Sequence, residues 1–336
     1  MKKTVAILIF IIFFLMFLLG CNQTANEKAN PASDFEYEIN SDQTGIHINK
    51  YIGTAEHVVI PSEINGLPVL TLKGILSKSY PTIIDEGVFE GTSVKTVVVP
   101  ETINTIGDSA FYGCTELSEI TILPSSNLTY IAGNAFANCI NLEKIDLSST
   151  QVKWIDILAF RGCSNLKEIK FSQTLEEIRE SAFYECSSLR EIVFPPNLTQ
   201  IKGGAFAYCT SLKRVVIPAK LNLMSFEEAI FHDVPSLKQI VFEEGREEIA
   251  GYALFQTTTA GVEIVVPKGV ESFSPLTFLI NPSTPITVTF LGDAPKIEDE
   301  DADWFGDPTI YYDPTTSGWE DFVWNEKFEV KPIQEN

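Results

Sequence analysis

The line IKGGAFAYCTSLKRVVIP, residues 201–218, decides the fold. It places an aliphatic residue, then Ala-Phe, a Cys three residues on, a Leu three after that, and a short strand closed by Pro. The same line returns at Ile178 as IRESAFYECSSLREIVFP and, with small edits, at Ile155, Ile131 and Ile106. Phe111, Phe136, Phe160, Phe183 and Phe206 mark the period, at intervals of 25, 24, 23 and 23 residues. Self-similarity at roughly 20–30 residues is the signature of a solenoid, whose coils cannot cover their own apolar faces and do so by stacking. Each repeated position then becomes a column through the core. The small Ala lets the side opposite the strand approach closely, and the Pro after the strand lacks an N–H and ends the ladder.

Outward from this centre the pattern erodes. Apolar-x-apolar pairs from Val58/Ile60 to Val288/Phe290 count ten strands, a parallel sheet on the order of 45 Å long at about 4.8 Å per strand. Residues 45–69 alternate in the β manner without the Ala-Phe and Cys positions, as a first coil with one face to water should. After Pro218 two eroded coils carry Phe231 with Val234 and Phe255 with Thr258, and a last strand at 286–291 closes the array.

The N-terminus carries an address. Lys2 and Lys3 precede an unbroken apolar run at 5–19, which suits a signal-peptide core better than a membrane span of about 20 residues. The run ends Leu18-Leu19-Gly20-Cys21, which resembles the lipobox of bacterial lipoproteins. That resemblance implies cleavage before Cys21 and acylation of Cys21, although Leu19 stands where a smaller residue is commoner. An uncleaved anchor is the alternative and leaves the protein on the same membrane surface. Residues 22–34 are polar and read as a flexible tether. The charge of −21, from 24 basic and 45 acidic side chains, argues against nucleic acid and against electrostatic docking on anionic lipid.

The line I-x-x-x-A-F-x-x-C-x-x-L-x-x-I-x-[IFL]-P is similar to the BspA-type (Treponema pallidum type) leucine-rich repeats of bacterial surface proteins. GIHINKYIGTAEHVVIPSEINGLPV (45–69) and FLGDAPKIEDEDADWFGDPTIYYDPTTSGW (290–319) resemble the opening and closing units of such arrays. The resemblance implies an α/β-type leucine-rich-repeat solenoid of about ten coils, with a parallel sheet on one face and short helices or turns on the other. Along the chain this gives a lipoprotein signal peptide at 1–20, the tether at 21–34, an N-terminal capping unit at 35–80, repeats at 81–285 and a C-terminal capping unit at 286–336. It also implies adhesion or recognition, although the repeat itself is a scaffold that presents many surfaces.

Several residue sets invite chemistry. Cys114, Cys139, Cys163, Cys186 and Cys209 recur with the repeat. Five is odd for disulfides, and no paired C-x-x-C offers a metal site, so they read as a structural column of small hydrophobes beside the Phe column. His47, His57 and His232 lie near no nucleophile pattern. Asp299, Asp301 and Asp303 begin like a calcium loop, but Trp304 and Ile310 stand where Gly and Glu are required. The tail aromatics Trp304, Phe305, Tyr311, Tyr312, Trp319, Phe322 and Trp324 suit either an end plug or sugar stacking.

The sheet face is the candidate binding surface. Residues between the inward strand pairs face out: Val59, Val98, Thr121, Asp146, Lys170, Val193, Val216, Val241, Val265 and Thr287. Val193, Val216, Val241 and Val265 form an apolar stripe. It is bordered by Glu119, Lys144, Glu168, Glu191, Arg214 and Gln239, which is how an interface would look, although Val is also simply a good strand former. The expected function is surface-anchored, non-catalytic binding of an extracellular protein or glycan, with Lys170 and Arg214 beside the stripe. No cofactor, metal or nucleic acid is expected, and the only membrane contact is the lipid anchor. A structural or envelope-assembly spacer is the alternative. No nucleophile, base and orienter constellation is visible, so an enzyme is not expected.

Overall fold

The computed structural model describes residues 27–73, 87–223, 229–251, 254–257, 261–298 and 305–334. It is a solenoid of about ten coils, each with three walls. The front wall is a parallel sheet built from His57–Val59, Thr96–Val99, Glu119–Ile122, Lys144–Asp146, Glu168–Lys170, Glu191–Ile192, Arg214–Ile217, Gln239–Phe242 and Val262–Val266. The side wall is a second parallel ladder of two-residue strands, Thr105–Ile106, Tyr130–Ile131, Trp154–Ile155, Glu177–Ile178 and Gln200–Ile201, in register through the inward Ile of each repeat.

The third wall is a stack of turns, so of the helices or turns expected opposite the sheet, turns are what forms. Among the described residues the helical elements are short 3-10 turns such as Ala32–Asp34, and none is long and apolar enough to cross a membrane. The turns bond from coil to coil: Phe111 N–H donates to Ala135 O, Phe136 to Ala159 and Phe160 to Ala182, at 2.7–2.8 Å. The turn needs two left-handed residues per coil, one before Ala-Phe and one before Cys. Ser109, Asn134, Leu158 and Ser181 fill the first with φ of 53–59°, where a side chain with a Cβ is strained. Leu158, half-buried at φ 59°, is the least suited of them. Leu158→Gly is expected to stabilise the chain by about 1 kcal/mol, read as a rise in the chemical-denaturation midpoint.

Inside the walls the repeat positions form columns. Phe89, Phe111, Phe136, Phe160, Phe183 and Phe206 lie fully buried, with successive ring centroids 4.8–5.0 Å apart and planes within 8° of parallel. Phe231, Phe255 and Phe278 extend the stack at one end, and Tyr51 and Phe35 at the other. Leu117, Leu142, Leu166, Leu189, Leu212 and Leu237 make a second column without exposure.

The ends differ from the reading of the sequence. Residues 30–34, inside the segment read as a tether, are docked: Asn30 donates its N–H to Val59 O, and its side-chain oxygen accepts from Val59 N–H, both at 2.9 Å. Strand Phe35–Ile39 pairs antiparallel with Ile46–Tyr51, which starts the side wall. At the other end the array does not close at 286–291. Phe305–Tyr312 and Glu329–Pro332 continue the front sheet in parallel, because Thr309-Ile310-Tyr311 alternates in register with Val288 and Ile310 is fully buried. Trp319, Phe322 and Trp324 then fold over Phe290 and Phe273, all three buried, and cover the open end of the core.

Candidate functional site

A cysteine nucleophile or a thiolate metal site would need a reactive thiol. Cys114, Cys139, Cys163, Cys186 and Cys209 are buried and unpaired in disulfides. Each Sγ donates to the carbonyl of the preceding coil's Phe, from Cys139 to Phe111 O at 3.0 Å through Cys209 to Phe183 O at 3.4 Å. Burial pushes the Cys114, Cys163 and Cys209 thiols up to about 12, and Cys139 and Cys186 well above the ordinary value. Such thiols stay protonated at neutral pH and are poor nucleophiles. Among the described residues no cluster of His, Cys, Asp and Glu is built to hold a metal ion. His57 bonds Thr96 and His232 bonds Gln256, each across to a neighbouring coil. Cys21 and the acidic residues Asp299, Asp301 and Asp303 lie outside the described residues.

The outer surface of the front sheet carries the valines. Val216, Val241 and Val265 are in register on neighbouring strands, half-buried, and Val265 pairs onward with Thr289. Thr289, rather than Thr287, continues the stripe, because Val288 and Phe290 are the buried pair and the residue between them must point out. Thr287 pairs with Glu263 and belongs to the polar border. That border is a hydrogen-bonded chain: Arg214 Nε donates to Gln239 Oε1 at 2.9 Å, and Gln239 Nε2 to Glu263 Oε2 at 2.7 Å. Val98 sits at the far end of the face and is buried between Val59 and Thr121.

Val193 differs from its neighbours: 70% of it is exposed. The front sheet is divided there, since Glu168–Lys170 pairs only with Lys144–Asp146 and the next ladder begins at Glu191–Ile192. The column that is Leu147 and Ile217 on the flanking coils holds Phe171 and Phe194 at this junction. Their rings stand 6.0 Å apart, against 5.0 Å for Phe160 and Phe183 in the main stack of the same coils. The opening is a trough of about 660 Å³ lined by Lys167, Lys170, Gln173, Arg190, Glu191 and Val193. A second hollow of about 420 Å³, at the other break beside Glu119–Ile122, shares Lys170, Ser148 and Glu168 with it. Lys170 reaches Asp146 at 3.1 Å and Glu168 at 3.8 Å between the two, and the Asp146 carboxylate raises its pKa.

One column went unread in the sequence. The residue after each buried Leu is Lys167, Arg190, Lys213 and Lys238 on four successive coils, all exposed. The signal was present as L-[KR]-x-[IV] four times over, one position before the border residues.

A family model described as BspA type leucine rich repeat region matches the chain in six copies, over residues 82–213 and 159–284. No curated protein matches the chain. Among solved structures, the chain is 25% identical to the leucine rich repeat protein TpLRR of T. pallidum, covering 79% of this chain and 86% of that one with a TM-score of 0.37. It is 19% identical to a leucine rich cell surface protein of Faecalibacterium prausnitzii, over 75% and 92% of the two chains, TM-score 0.35. It is 15% identical to the pneumococcal vaccine antigen PcpA, over 92% and 99%, TM-score 0.47.

Proposed function

The chain belongs to the BspA-type leucine-rich-repeat family, and we propose that it is a lipid-anchored surface protein whose work is non-catalytic binding through the front sheet. The observation that supports this most is the valine stripe. Val193 is largely exposed beside half-buried Val216, Val241 and Val265, with a polar border already satisfied by its own hydrogen bonds. A border that spends its polar groups internally leaves the apolar stripe as the part still open to a partner, the arrangement of an interface with a polar rim. The anchor rests on Leu18-Leu19-Gly20-Cys21, since two acyl chains suffice for lasting membrane attachment. An adhesive role, with an extracellular protein or glycan as partner, follows from a binding face held outside the membrane. The five cysteines have no part in a reaction on this reading.

The test is a screen against matrix proteins, glycans and the cell's own envelope extract, at low and physiological salt, followed by Val193→Asp with Val216→Asp. Both side chains point to solvent, so folding is expected to survive and binding to fall by at least about tenfold, as when charge enters an interface core. A ligand held unchanged by the double variant would remove the sheet face from the proposal. Retention of envelope components alone would favour a structural spacer.

A further inference from the structure

We propose that the trough at the break in the front sheet binds an anionic polysaccharide; the proposal rests on the sheet-face reading and names its partner class. The four strand segments at 167–171, 190–194, 213–217 and 238–242 hold Lys167, Lys170, Arg190, Lys213, Arg214 and Lys238 against only Glu168 and Glu191. Six cations stand against these two carboxylates and against Glu143 and Asp146, which pair with Lys167 and Lys170 from the preceding coil, a local charge of +2 on a chain whose total is −21. Backbone bonds fix the alignment: Lys213 N–H donates to Arg190 O at 3.0 Å, and Lys238 N–H to Lys213 O at 2.8 Å.

Pairing separates the centre of this strip from its ends. Elsewhere in the column the protein supplies its own counter-ion, with Lys95 on Glu56 at 2.7 Å and Lys167 on Glu143 at 2.9 Å. Arg190 and Lys213 are exposed, sit on adjacent coils and have no carboxylate partner among the described residues. Two like charges side by side are unfavourable, and an incoming anion relieves both at once. In a chain with 45 acidic side chains, a neutralising Glu nearby was available in composition and is absent in place.

The trough supplies what the charges cannot. Between 167–171 and 190–194 no backbone hydrogen bond crosses, so strand-edge amides and carbonyls, together with Gln173, face the opening. Those groups suit hydroxyls. Where the ladder is intact, from Arg190 through Lys213 to Lys238, the cations repeat once per coil, at about 4.8 Å, whereas an extended peptide presents same-side carboxylates two residues apart, about 6.8 Å, and falls out of step. A single-stranded nucleic acid needs stacking platforms, and the trough's aromatic ring, Phe171, is 4% exposed. A hydroxyl-rich polymer with an acid group on each sugar remains. The acidic remainder of the protein does not repel it strongly, because charges more than about 8 Å away are screened at physiological salt.

The experiment uses the full chain in detergent against immobilised polygalacturonate, with neutral dextran, poly-glutamate and oligo(dT) as comparisons. Saturable binding to polygalacturonate alone is expected, weakening as salt rises from about 0.01 to 0.15 M. Arg190→Glu with Lys213→Glu should cost at least about tenfold in affinity with an unchanged thermal melt. Lys95→Glu, at a coil outside the trough, should leave affinity within about twofold. Polygalacturonate binding no better than dextran overturns the inference, as does undiminished binding by the Arg190/Lys213 variant. Preference for poly-glutamate or oligo(dT) overturns it equally. A protein ligand lost in the Val193/Val216 variant but kept in the Arg190/Lys213 variant would leave the sheet-face reading standing and remove this one alone.

Discussion

Phe160→Ala is expected to lower stability by about 3–5 kcal/mol, the cost of emptying a buried aromatic site that its neighbours cannot refill. The ring is fully buried, with Phe136 at 4.9 Å on one side and Phe183 at 5.0 Å on the other. Collapse into the space is resisted because each flanking coil is held by Phe-to-Ala backbone bonds at the turn and by the Ile ladder at the side. In a stacked array stability is close to a sum of coil terms and nearest-neighbour terms, so losing one central ring weakens two interfaces at once. Guanidinium unfolding followed by far-ultraviolet circular dichroism should therefore show a lower midpoint and a broader transition, the two halves parting company. The end ring Phe35, tilted on Tyr51 and the last ring of the stack among the described residues, should matter less. Equal losses from Phe35→Ala and Phe160→Ala would mean that the column is not the main support.

The second large effect is on the alkaline side. Five thiols are held far above their unfolded value, which lies at roughly 8.5. A group whose pKa is raised by folding contributes its full stability below the unfolded pKa and loses it as pH climbs toward the folded one. Here the window opens near pH 9 and extends to about 12 for Cys114, Cys163 and Cys209. Within it the unfolded chain sheds thiol protons that the native chain keeps, so each thiol lowers stability by about 1.4 kcal/mol per pH unit. Five acting together approach about 7 kcal/mol per pH unit, more than the margin of an ordinary domain allows for long. Denaturation midpoints at pH 8, 9 and 10 should fall steeply for the wild type and less steeply for Cys163→Val. Replacing all five by Val should flatten the thiol part of the slope. Tyr and Lys also titrate there, and the difference between variants isolates the cysteines. Val is a fair replacement, since Val234 already fills the position, fully buried. Parallel curves for all three proteins would show that the thiols do not set the alkaline limit.

What could be read in the chain beforehand follows from which positions constrain residue type. The Phe, Leu and Ile columns are spelled out because a core position in a stack accepts little besides one large apolar side chain. The turn wall left a fainter trace: its left-handed position accepts Ser109, Asn134, Leu158 and Gly204 alike, so no single residue type repeats. The two final strands were hidden in a segment rich in Asp, Pro and Trp, where only Thr309-Ile310-Tyr311 alternates. The break in the front sheet is written in no motif. Phe171 and Phe194 fall on adjacent coils at that break, and the pairing of coils is a relation between repeats rather than a property of one. For the same reason the stripe at Val216, Val241 and Val265 was visible as a pattern, while the exposure of Val193 was not.

The turn wall also bears on how such a chain could have come to its present length. Its backbone donors point forward, from Phe160 to Ala182 on the next coil, while the side ladder donates backward, from Arg179 N–H to Ile155 O. On these two walls every central coil therefore offers the same complement on its leading and trailing faces. Loss or duplication of a whole 23-residue period, such as the one separating Phe183 from Phe206, keeps the donors and acceptors of the turn wall and side ladder matched. A gene built of such units can lengthen or shorten by unequal crossing-over and still encode a closed stack. Changes of a residue or two are absorbed in the loops, since periods of 25, 24 and 23 all keep the Phe rings stacked, whereas loss of half a coil would leave the next columns without partners.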